Sequence, residues 1–358
     1  MGEIVIRDSV RNLLVQCAGA QENDRVLVVG EAGSNTFFEP QLAIDFAREA
    51  TEIGFRASHI LAEPVVSAQE FPTTVAAAMA EADITVFFSR LGDQVRFLAS
   101  PGKGGKVMSY ALTRRHMASD FGATDFATTE YILEQLLEVI SSASSYRIFK
   151  ANGTDLVGEI RNSSEETDLI PFSLKLFPTM IFPPIGFRNL SGTLLVEDFT
   201  LSTSTRAYQN SVLMMTSPVK LTIESGRIVA FEGETEMIAA LKEQCRRAAS
   251  ITGGDPFRLN SWHTGVNPFT FFEGDPFANL ERWGTVAYGS PRYTHIHAAG
   301  QDPGDLSFQL FDASIAFDDE WIWKDGRFVF LDREDIRDML DKAGQGHLTS
   351  DIRYDIGI

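Results

Sequence analysis

The chain has 358 residues, of which 44% are hydrophobic and 22% are charged, a composition typical of globular rather than disordered proteins. Its 31 basic and 49 acidic residues give a formal net charge of −18. Because nucleic acids and anionic membranes are bound by basic surfaces, this balance argues against both as partners. The length exceeds what one small core requires, so we expect two domains.

Targeting and redox signals agree with an intracellular protein. Residues Met1–Arg7 lack the basic start and apolar stretch of a signal peptide, and no apolar run reaches the roughly 18–20 residues that span a bilayer. The two cysteines, Cys17 and Cys245, are too few for a disulfide framework. We therefore expect a cytoplasmic protein, and we expect it to form a homo-oligomer.

Residues 1–150 alternate short apolar runs with amphipathic segments. Arg25–Gly30 is a continuous apolar run that ends in glycine, as expected of a buried parallel strand. Further strands are predicted at 55–61, 84–88 and 106–110, and helices at 35–54, 73–82 and 128–142. The alternation predicts an α/β domain built on a doubly wound, mostly parallel sheet.

The turn after the first strand is not a nucleotide-binding loop. Gly30–Ser34 lies between a predicted strand and a predicted helix, but it lacks the third glycine of the dinucleotide fingerprint. The acidic residue expected roughly 20 residues further on, at the end of a second strand, is also missing. We expect this domain to be a scaffold without a cofactor.

Residues 151–358 have a different pattern and predict an α+β domain rich in antiparallel strands. Val219–Phe231 is a predicted hairpin with a turn at Ser225-Gly226, and residues 234–249 are a predicted helix. A second hairpin is predicted at 314–331 with its turn at 324–326. Residues 256–304 are rich in Gly, Pro and aromatic residues and are interpreted as loops, and 344–358 as a loosely docked tail.

Three of the six histidines fall within this loop-rich segment: His263, His295 and His297. Neutral imidazoles with a carboxylate are ligands for Zn, Fe(II) or Mn(II). On a strand, His295 and His297 would point to the same side. Histidines in aromatic loops also hydrogen-bond to backbone carbonyls without binding metal, and clustering alone leaves both interpretations open. The acidic residues nearby in sequence are Asp275, Asp302, Asp305 and Asp312.

Several short segments, in chain order, follow one pattern: Cys17–Ala20, Arg25–Leu27, Gly153–Leu156, Gly192–Leu194, Pro218–Thr222, Gly226–Val229, Gly265–Pro268, Gly284–Val286 and Ser307–Asp312. This pattern resembles the aminopeptidase T-type metallopeptidases and the related 2,5-dihydroxypyridine dioxygenases. The resemblance covers most of the chain and implies a metal-dependent enzyme of that fold.

The metal site of the peptidases is altered in this chain. Met180 and Ile181 follow the Phe-Pro after which the peptidases carry a Glu ligand, and Ser261-Trp262-His263 stands where they carry a second Glu. Leu310 replaces the His of their His-x-Asp strand. Because a two-metal centre needs several carboxylates, aminopeptidase activity is not expected.

The dioxygenase branch of the resemblance implies a mononuclear site. His263 matches one of its ligands to within one position and Asp312 matches another. We hypothesise that His297, or alternatively His295, supplies the imidazole missing at Leu310. The predicted ligands are therefore His263, His297 and Asp312, holding Fe(II) or another divalent metal. Asp312 can also be interpreted as a strand-end carboxylate that caps a backbone amide. A further interpretation is that this chain has lost the metal.

Catalytic roles are predicted for three residues beside the ligands. His295 is the candidate base, Arg292 would orient a substrate carboxylate or hydroxyl with Thr294, and Tyr293 would line the substrate pocket. The other aromatic residues predicted to line it are Trp262, Phe269, Phe271 and Phe272, although core packing is the commoner fate of such residues.

The leading interpretation is an oxygenase that opens the ring of a small aromatic or heteroaromatic substrate. One alternative is a metal-independent hydrolase, in which His263 or His295 acts as a general base oriented by Asp312. Others are a metalloaminopeptidase-like protein without peptidase activity and a small-molecule binding protein that is not an enzyme.

Overall fold

The structure, a computed structural model, describes residues 5–65, 70–96, 102–160, 168–187, 189–203, 209–301, 304–349, 352 and 354–358. Asp302 lies outside these residues. The chain forms two compact units. The first comprises Met1–Glu130, Phe172–Met180 and Ser204–Ala207, and the second comprises Tyr131–Pro171, Ile181–Thr203 and Tyr208–Ile358.

The helices are α1 (Arg7–Arg11, continued by a π-helical turn at Asn12–Cys17), α2 (Pro40–Glu52), α3 (Thr73–Glu81), α4 (Arg90–Val95), α5 (Arg114–Ala118), α6 (Asp120–Ala123), α7 (Phe126–Ser142), α8 (Thr235–Thr252), α9 (Leu280–Ala287) and α10 (Glu334–Lys342).

The strands are β1 (Arg25–Glu31), β2 (Arg56–Ala62), β3 (Ile84–Phe88), β4 (Gly105–Ser109), β5 (Ser145–Lys150), β6 (Thr154–Glu159), β7 (Lys175–Phe177), β8 (Ile185–Gly186), β9 (Ser191–Val196), β10 (Phe199–Ser202), β11 (Leu213–Met214), β12 (Val219–Glu224), β13 (Arg227–Glu232), β14 (Asp255–Thr264), β15 (Tyr293–Gly300), β16 (Leu306–Phe311), β17 (Ser314–Phe317) and β18 (Glu320–Trp323).

The first unit contains a five-stranded sheet of order β2-β1-β3-β4-β7, and all of its strand pairs are parallel. Val26–Val29 of β1 are buried, as the apolar run predicted. The chain moves from β1 first to one side and then to the other, which is the doubly wound arrangement. The predicted α/β fold with a parallel sheet is confirmed.

The second unit contains a large antiparallel sheet of order β11-β10-β16-β15-β14-β13-β12-β9-β6-β5-β17-β18, with β8 paired to β14. The predicted hairpin is β12 and β13, and its turn residues Ser225 and Gly226 both have positive φ, at 49° and 74°. Tight hairpin turns require this conformation. Strand β5, which the predicted boundary at residue 150 assigns to the first domain, pairs with β6 and β17 in this sheet.

Two sequence-based assignments in this unit are wrong. The second hairpin consists of β17 and β18, which are joined by a turn at Asp318-Asp319. The predicted turn at 324–326 is present, but it closes only a single bridge between Lys324 and Arg327 and does not join two strands. Asp318 adopts φ 48°, and its carboxylate accepts backbone hydrogen bonds from Ser144 and Ser145. Residues 256–304 are not mainly loops, because β14 and β15 are two of the longest described strands. Over residues 259–264 of β14 and throughout β15 the side chains are buried, including the polar ones.

The end of the chain is docked more firmly than expected. Ile356 is fully buried in a cluster with Trp283, Tyr288 and Tyr293. The indole Nε1–H of Trp283 donates a 2.6 Å hydrogen bond to the Ile356 carbonyl. These contacts correct the prediction of a loosely docked tail. No helix in the described part of the chain is long and apolar enough to cross a membrane.

Both cysteines are expected to be unreactive in the native protein. Cys17 and Cys245 are buried, and burial raises the pKa of each thiol to about 12. The thiolate is the reactive form, so at pH 8 only about one molecule in 10⁴ carries it at either position. A dithionitrobenzoate assay should therefore detect no thiol in the native protein and two after denaturation. Rapid labelling without denaturant would contradict the buried placement.

Candidate metal centre

The three clustered histidines lie on two adjacent antiparallel strands. His263 of β14 pairs in register with His295 of β15, and His297 pairs with Ser261. Because directly paired residues point to the same side of a sheet and side chains alternate along each strand, all three imidazoles share one face. All three side chains are buried, with exposed fractions of 0%, 2% and 1% for His263, His295 and His297. The prediction that His295 and His297 point to the same side is confirmed.

The three imidazoles are close enough to hold one ion. The ring centroids of His263 and His295 are 4.1 Å apart, and that of His297 lies 5.0 and 5.1 Å from the other two. One nitrogen from each ring lies within 4.8 Å of the others. Two nitrogens bound to one metal at about 2.1 Å are separated by about 3.0–3.4 Å, so modest ring rotations would complete the site. Three imidazoles form a donor set that suits Zn, Fe(II) and similar ions.

Two hydrogen bonds orient the rings. The Nδ1–H of His263 donates to the carbonyl of Phe182 at 3.0 Å, and this fixes the tautomer because a carbonyl only accepts. The Nδ1 of His297 is 3.0 Å from the hydroxyl of its strand partner Ser261. These contacts leave Nε2 of each ring as the ligand atom. Partners of this kind are typical of metal-binding histidines, and they hold the ring and raise its affinity.

The third strand continues the polar face. On β16, Gln309 pairs with His295 and Ser307 pairs with His297. The Gln309 side-chain amide donates to the Ser307 carbonyl at 2.9 Å, and its Oε1 accepts from the Tyr293 hydroxyl. Two rows therefore cross the three strands: His263, His295 and Gln309 in one, and Ser261, His297 and Ser307 in the other.

Aromatic rings cover one side of His295. The Tyr288 ring stacks on the His295 imidazole at 4.4 Å and 28°, and it is parallel to the Tyr293 ring at 5.4 Å. Tyr293 also stacks on Phe311 at 5.1 Å. Burial raises the pKa of Tyr293 well above its ordinary value. Its phenol therefore keeps its proton at neutral pH and serves as a hydrogen-bond donor to Gln309.

The opposite face of these strands carries large apolar side chains. Trp262, Ile296 and Phe308 alternate with the polar residues and are fully buried. Trp262 packs against Tyr146 at 5.1 Å and stacks on Phe317 at 6.1 Å. Burial of this apolar face provides the packing energy that keeps the histidine-bearing strands in place.

The structure does not bring Asp312 to the histidines. Its carboxylate accepts two hydrogen bonds from the Arg292 guanidinium, at 2.9 and 3.1 Å, and its backbone N–H donates to the Arg292 carbonyl. The ion pair raises the pKa of Arg292. Asp312 is not among the ligand atoms that gather around His263, and Arg292 is held by Asp312 rather than presented to the imidazoles.

The histidines of β15 do not simply replace an imidazole at position 310. Leu310 pairs in register with Thr294, so both point to the face opposite His295 and His297. The Thr294 hydroxyl donates to the Thr264 hydroxyl at 3.0 Å on that face. The proposed role of Thr294 in orienting substrate beside the histidines is therefore not supported by its position.

The aromatic residues predicted to line a pocket have separate locations. Trp262 points away from the histidines, Phe269 contacts His347 and Tyr354, and Phe271 contacts Tyr354. Phe272 packs at the edge of the cluster around Trp283. Of the five, Tyr293 stacks on a site histidine. Tyr288, whose ring stacks on His295 at 4.4 Å, was not predicted from the sequence as a site residue, and neither were Ser261 and Gln309. A repeated polar-x-polar pattern on three strands was the available signal.

Gly304 sets the position of His297, and substitution is expected to disturb the site. Gly304 has φ +112°, and an added Cβ would lie 2.8 Å from the His297 Cβ and 3.0 Å from the Ala298 nitrogen. Gly304→Ala should weaken metal binding about tenfold and destabilise the fold by about 1–3 kcal/mol. Gly274→Ala is the matched control, because Gly274 has φ +103° and nothing within 4 Å. Equal metal affinity in the two variants would contradict this role.

Comparison with solved structures gives a clear match. Along 94% of its length the chain superimposes on all of 2,5-dihydroxypyridine dioxygenase from Pseudomonas putida KT2440, with a TM-score of 0.61 and 12% identity. By fold, the chain resembles this dioxygenase. Wild-type AmpT from Thermus thermophilus matches with a TM-score of 0.49 and 12% identity over 90% of this chain and 99% of AmpT. No protein-family model matches the sequence, and no curated protein matches it either.

The likeness to the dioxygenase concerns the fold. Met180, Ile181 and Leu310 are buried apolar side chains with exposed fractions of 1%, 2% and 1%. We expect no aminopeptidase activity on aminoacyl substrates with added Zn, Co or Mn. Leucyl-p-nitroanilide hydrolysis measured with each metal tests this. Metal-dependent turnover at about 1 s⁻¹ or faster, an ordinary enzymatic rate, would show that the ligand argument is wrong.

Proposed function

We propose that the protein is a metal-dependent oxygenase that opens the ring of a small aromatic or heteroaromatic substrate, with Fe(II) as its metal. The convergence of three buried imidazoles on one sheet face is the observation that carries the proposal. The likeness to a dioxygenase supports it at the level of the fold.

The proposed ligands are His263, His295 and His297. This set differs from the set predicted from sequence, because His295 takes the place of Asp312. Three ligands on one side of an ion leave its other positions open, which is the arrangement that oxygenases use. When bound, the metal would bring substrate and oxygen together and polarise both.

The remaining residues of the site orient and enclose the imidazole ligands, and we assign no proton transfer to them. Phe182 and Ser261 hold two imidazoles by their Nδ1 atoms. The Tyr288 and Tyr293 rings exclude water from one side of His295, which a reaction with oxygen requires. As a ligand, His295 is no longer available as the base, and the raised pKa of Tyr293 argues against that residue as the base.

Oxygen consumption tests the proposed activity. Protein loaded anaerobically with Fe(II) would be mixed with air-saturated buffer and a panel of mono- and dihydroxylated benzoates and pyridines. We expect at least one compound to be consumed with one O₂ per ring and loss of the ring's ultraviolet absorption, and no consumption by His263→Ala. Binding of Fe(II) without oxygen uptake on the whole panel would overturn the proposal.

The metal-independent hydrolase is less well supported. It needs a carboxylate to orient a histidine, and the candidate carboxylate, Asp312, accepts two hydrogen bonds from the Arg292 guanidinium. Hydrolysis of aryl esters by chelator-treated protein, lost in His263→Ala, would favour it over the oxygenase.

A further inference from the structure

The segment Tyr354–Ile358 packs closely against its neighbours. The Asp355 carbonyl accepts a 3.3 Å hydrogen bond from the Phe272 backbone N–H. Gly357 has φ +85°, and a Cβ added there would lie 2.6 Å from Cγ of Pro276, so the backbone approaches that ring closely. Close-packed interiors transmit a displacement instead of absorbing it. A shift of this segment would therefore also move the residues that it contacts.

A chain of buried contacts leads from this segment to a proposed metal ligand. The Ile356 carbonyl accepts the 2.6 Å hydrogen bond of the Trp283 indole. The Trp283 and Tyr293 ring centroids are 5.2 Å apart, and Tyr293 stacks on the His295 imidazole at 5.6 Å and 27°. Ile356, Trp283 and Tyr293 are fully buried. Two ring contacts thus connect the indole that binds Ile356 to the imidazole.

Helix α9 provides a second connection. Trp283 lies within this helix, and Tyr288 is the residue that follows its last turn. The Tyr288 ring stacks on His295 at 4.4 Å, and its hydroxyl donates a 3.1 Å hydrogen bond to the Ser202 carbonyl. The indole that contacts the segment and a ring that contacts the imidazole therefore belong to one short helix and its cap.

The orientation of His295 matters for the metal centre. One nitrogen from each of the three imidazoles lies within 4.8 Å of the others, whereas nitrogens that share an ion are about 3.0–3.4 Å apart. Supporting residues must hold ligands within about 0.5 Å and 10–20° of the productive geometry. Hydrogen bonds at Nδ1 orient His263 and His297. The two stacked tyrosine rings restrict the rotation of the His295 ring.

We infer that the segment Tyr354–Ile358 positions the His295 imidazole, acting through Trp283 and the two tyrosine rings that stack on the imidazole. The inference rests on the proposed function in one respect, since His295 is one of the proposed ligands. The segment lies outside the group of ligand atoms, and it acts on metal affinity by setting the orientation of one ring.

Nuclear magnetic resonance of the metal-free protein tests the positioning, because the ring currents of stacked aromatic side chains displace the proton resonances of an imidazole. The protein is labelled with carbon-13 histidine, and the His295 signals are assigned by their loss in His295→Ala. Ile356→Ala removes a buried side chain of the segment and should shift these signals. Ile336→Ala is the matched control, because Ile336 is a 1% exposed isoleucine of α10 and is not part of the cluster around Trp283. Both variants lose a buried isoleucine and should be destabilised, but Ile336→Ala should leave the His295 signals in place.

Two further variants separate positioning from a general loss of stability. Ile356→Val keeps most of the buried side chain and should return the His295 signals to near their positions in the unmodified protein. Trp283→Phe keeps an aromatic ring and removes the Nε1–H that binds the Ile356 carbonyl, so it should shift the signals even if Ile356→Ala does not fold. Unshifted His295 signals in the folded Ile356 and Trp283 variants would overturn the inference, and equal shifts in Ile336→Ala would overturn it as well.

Titration with Co(II) measures the consequence for the metal centre. In Ile356→Ala the affinity should fall about three- to tenfold, the size of the contribution of one aromatic pair, and in Ile336→Ala it should stay within about twofold. Equal affinities in the two isoleucine variants would contradict an effect of the segment on metal binding. If the unmodified protein bound no Co(II), the metal centre and the proposed function would be refuted, and the resonance comparison would still decide whether the segment positions His295.

Discussion

His295→Ala is expected to weaken the binding of Fe(II) or Co(II) by about 10²–10³-fold. A complete four-ligand zinc site contributes about 10–16 kcal/mol, so the loss of one of three protein ligands costs about 3–4 kcal/mol. His295 lies opposite His263 on the neighbouring strand, and their ring centroids are 4.1 Å apart. Isothermal titration under anaerobic conditions measures the change.

Two control variants make this result specific. Asp312→Asn should leave metal affinity unchanged within about threefold, because the Asp312 carboxylate pairs with Arg292 and lies outside the group of ligand atoms. His59→Ala removes an exposed histidine of β2 and should have no effect. If Asp312→Asn abolished binding and His295→Ala did not, the ligand set predicted from sequence would be right and the proposed one wrong.

Trp283→Ala is expected to lower the free energy of unfolding by about 4 kcal/mol, since removal of a large buried aromatic side chain costs about 3–5 kcal/mol. The Trp283 indole is fully buried and contacts Tyr293 at 5.2 Å and Phe199 at 5.7 Å. Its loss would also remove the hydrogen bond to the Ile356 carbonyl. Urea denaturation followed by circular dichroism gives the difference.

Trp321→Ala is the matched control, because Trp321 is 41% exposed on the edge strand β18. We expect it to cost less than about 1 kcal/mol, as surface substitutions usually do. If the two variants lost similar amounts of unfolding free energy, the cluster around Trp283 would not be what holds the end of the chain and the Tyr293 ring together.

The fold could be predicted well where the local pattern is strong. The apolar run Arg25–Gly30 identified a buried parallel strand, and the Ser225-Gly226 turn identified a hairpin. Strands β14 and β15 were missed because the segment 256–304 that contains them is rich in Gly, Pro and aromatic residues, which favoured loops. Polar and apolar residues do alternate at 261–263 and 295–297, where the two strands pair.

The site could be predicted in composition but not in its arrangement. Sequence spacing indicates that His295 and His297 share a face, because they are two residues apart. The pairing of His263 with His295 depends on the register of strands that are joined by a long connection, and no local pattern encodes it. Asp312 lies near the histidines in sequence and matches the pattern of the family that the chain resembles. In the structure, however, its carboxylate pairs with Arg292.

X-ray absorption at the iron edge of anaerobically Fe(II)-loaded protein tests the central claim most directly. We predict one iron per chain, with three imidazole nitrogens at about 2.0–2.2 Å and oxygen donors in the remaining positions. His263→Ala should lose this signal. A first shell with fewer than three imidazoles, or no stoichiometric iron, would contradict a metal centre formed by His263, His295 and His297.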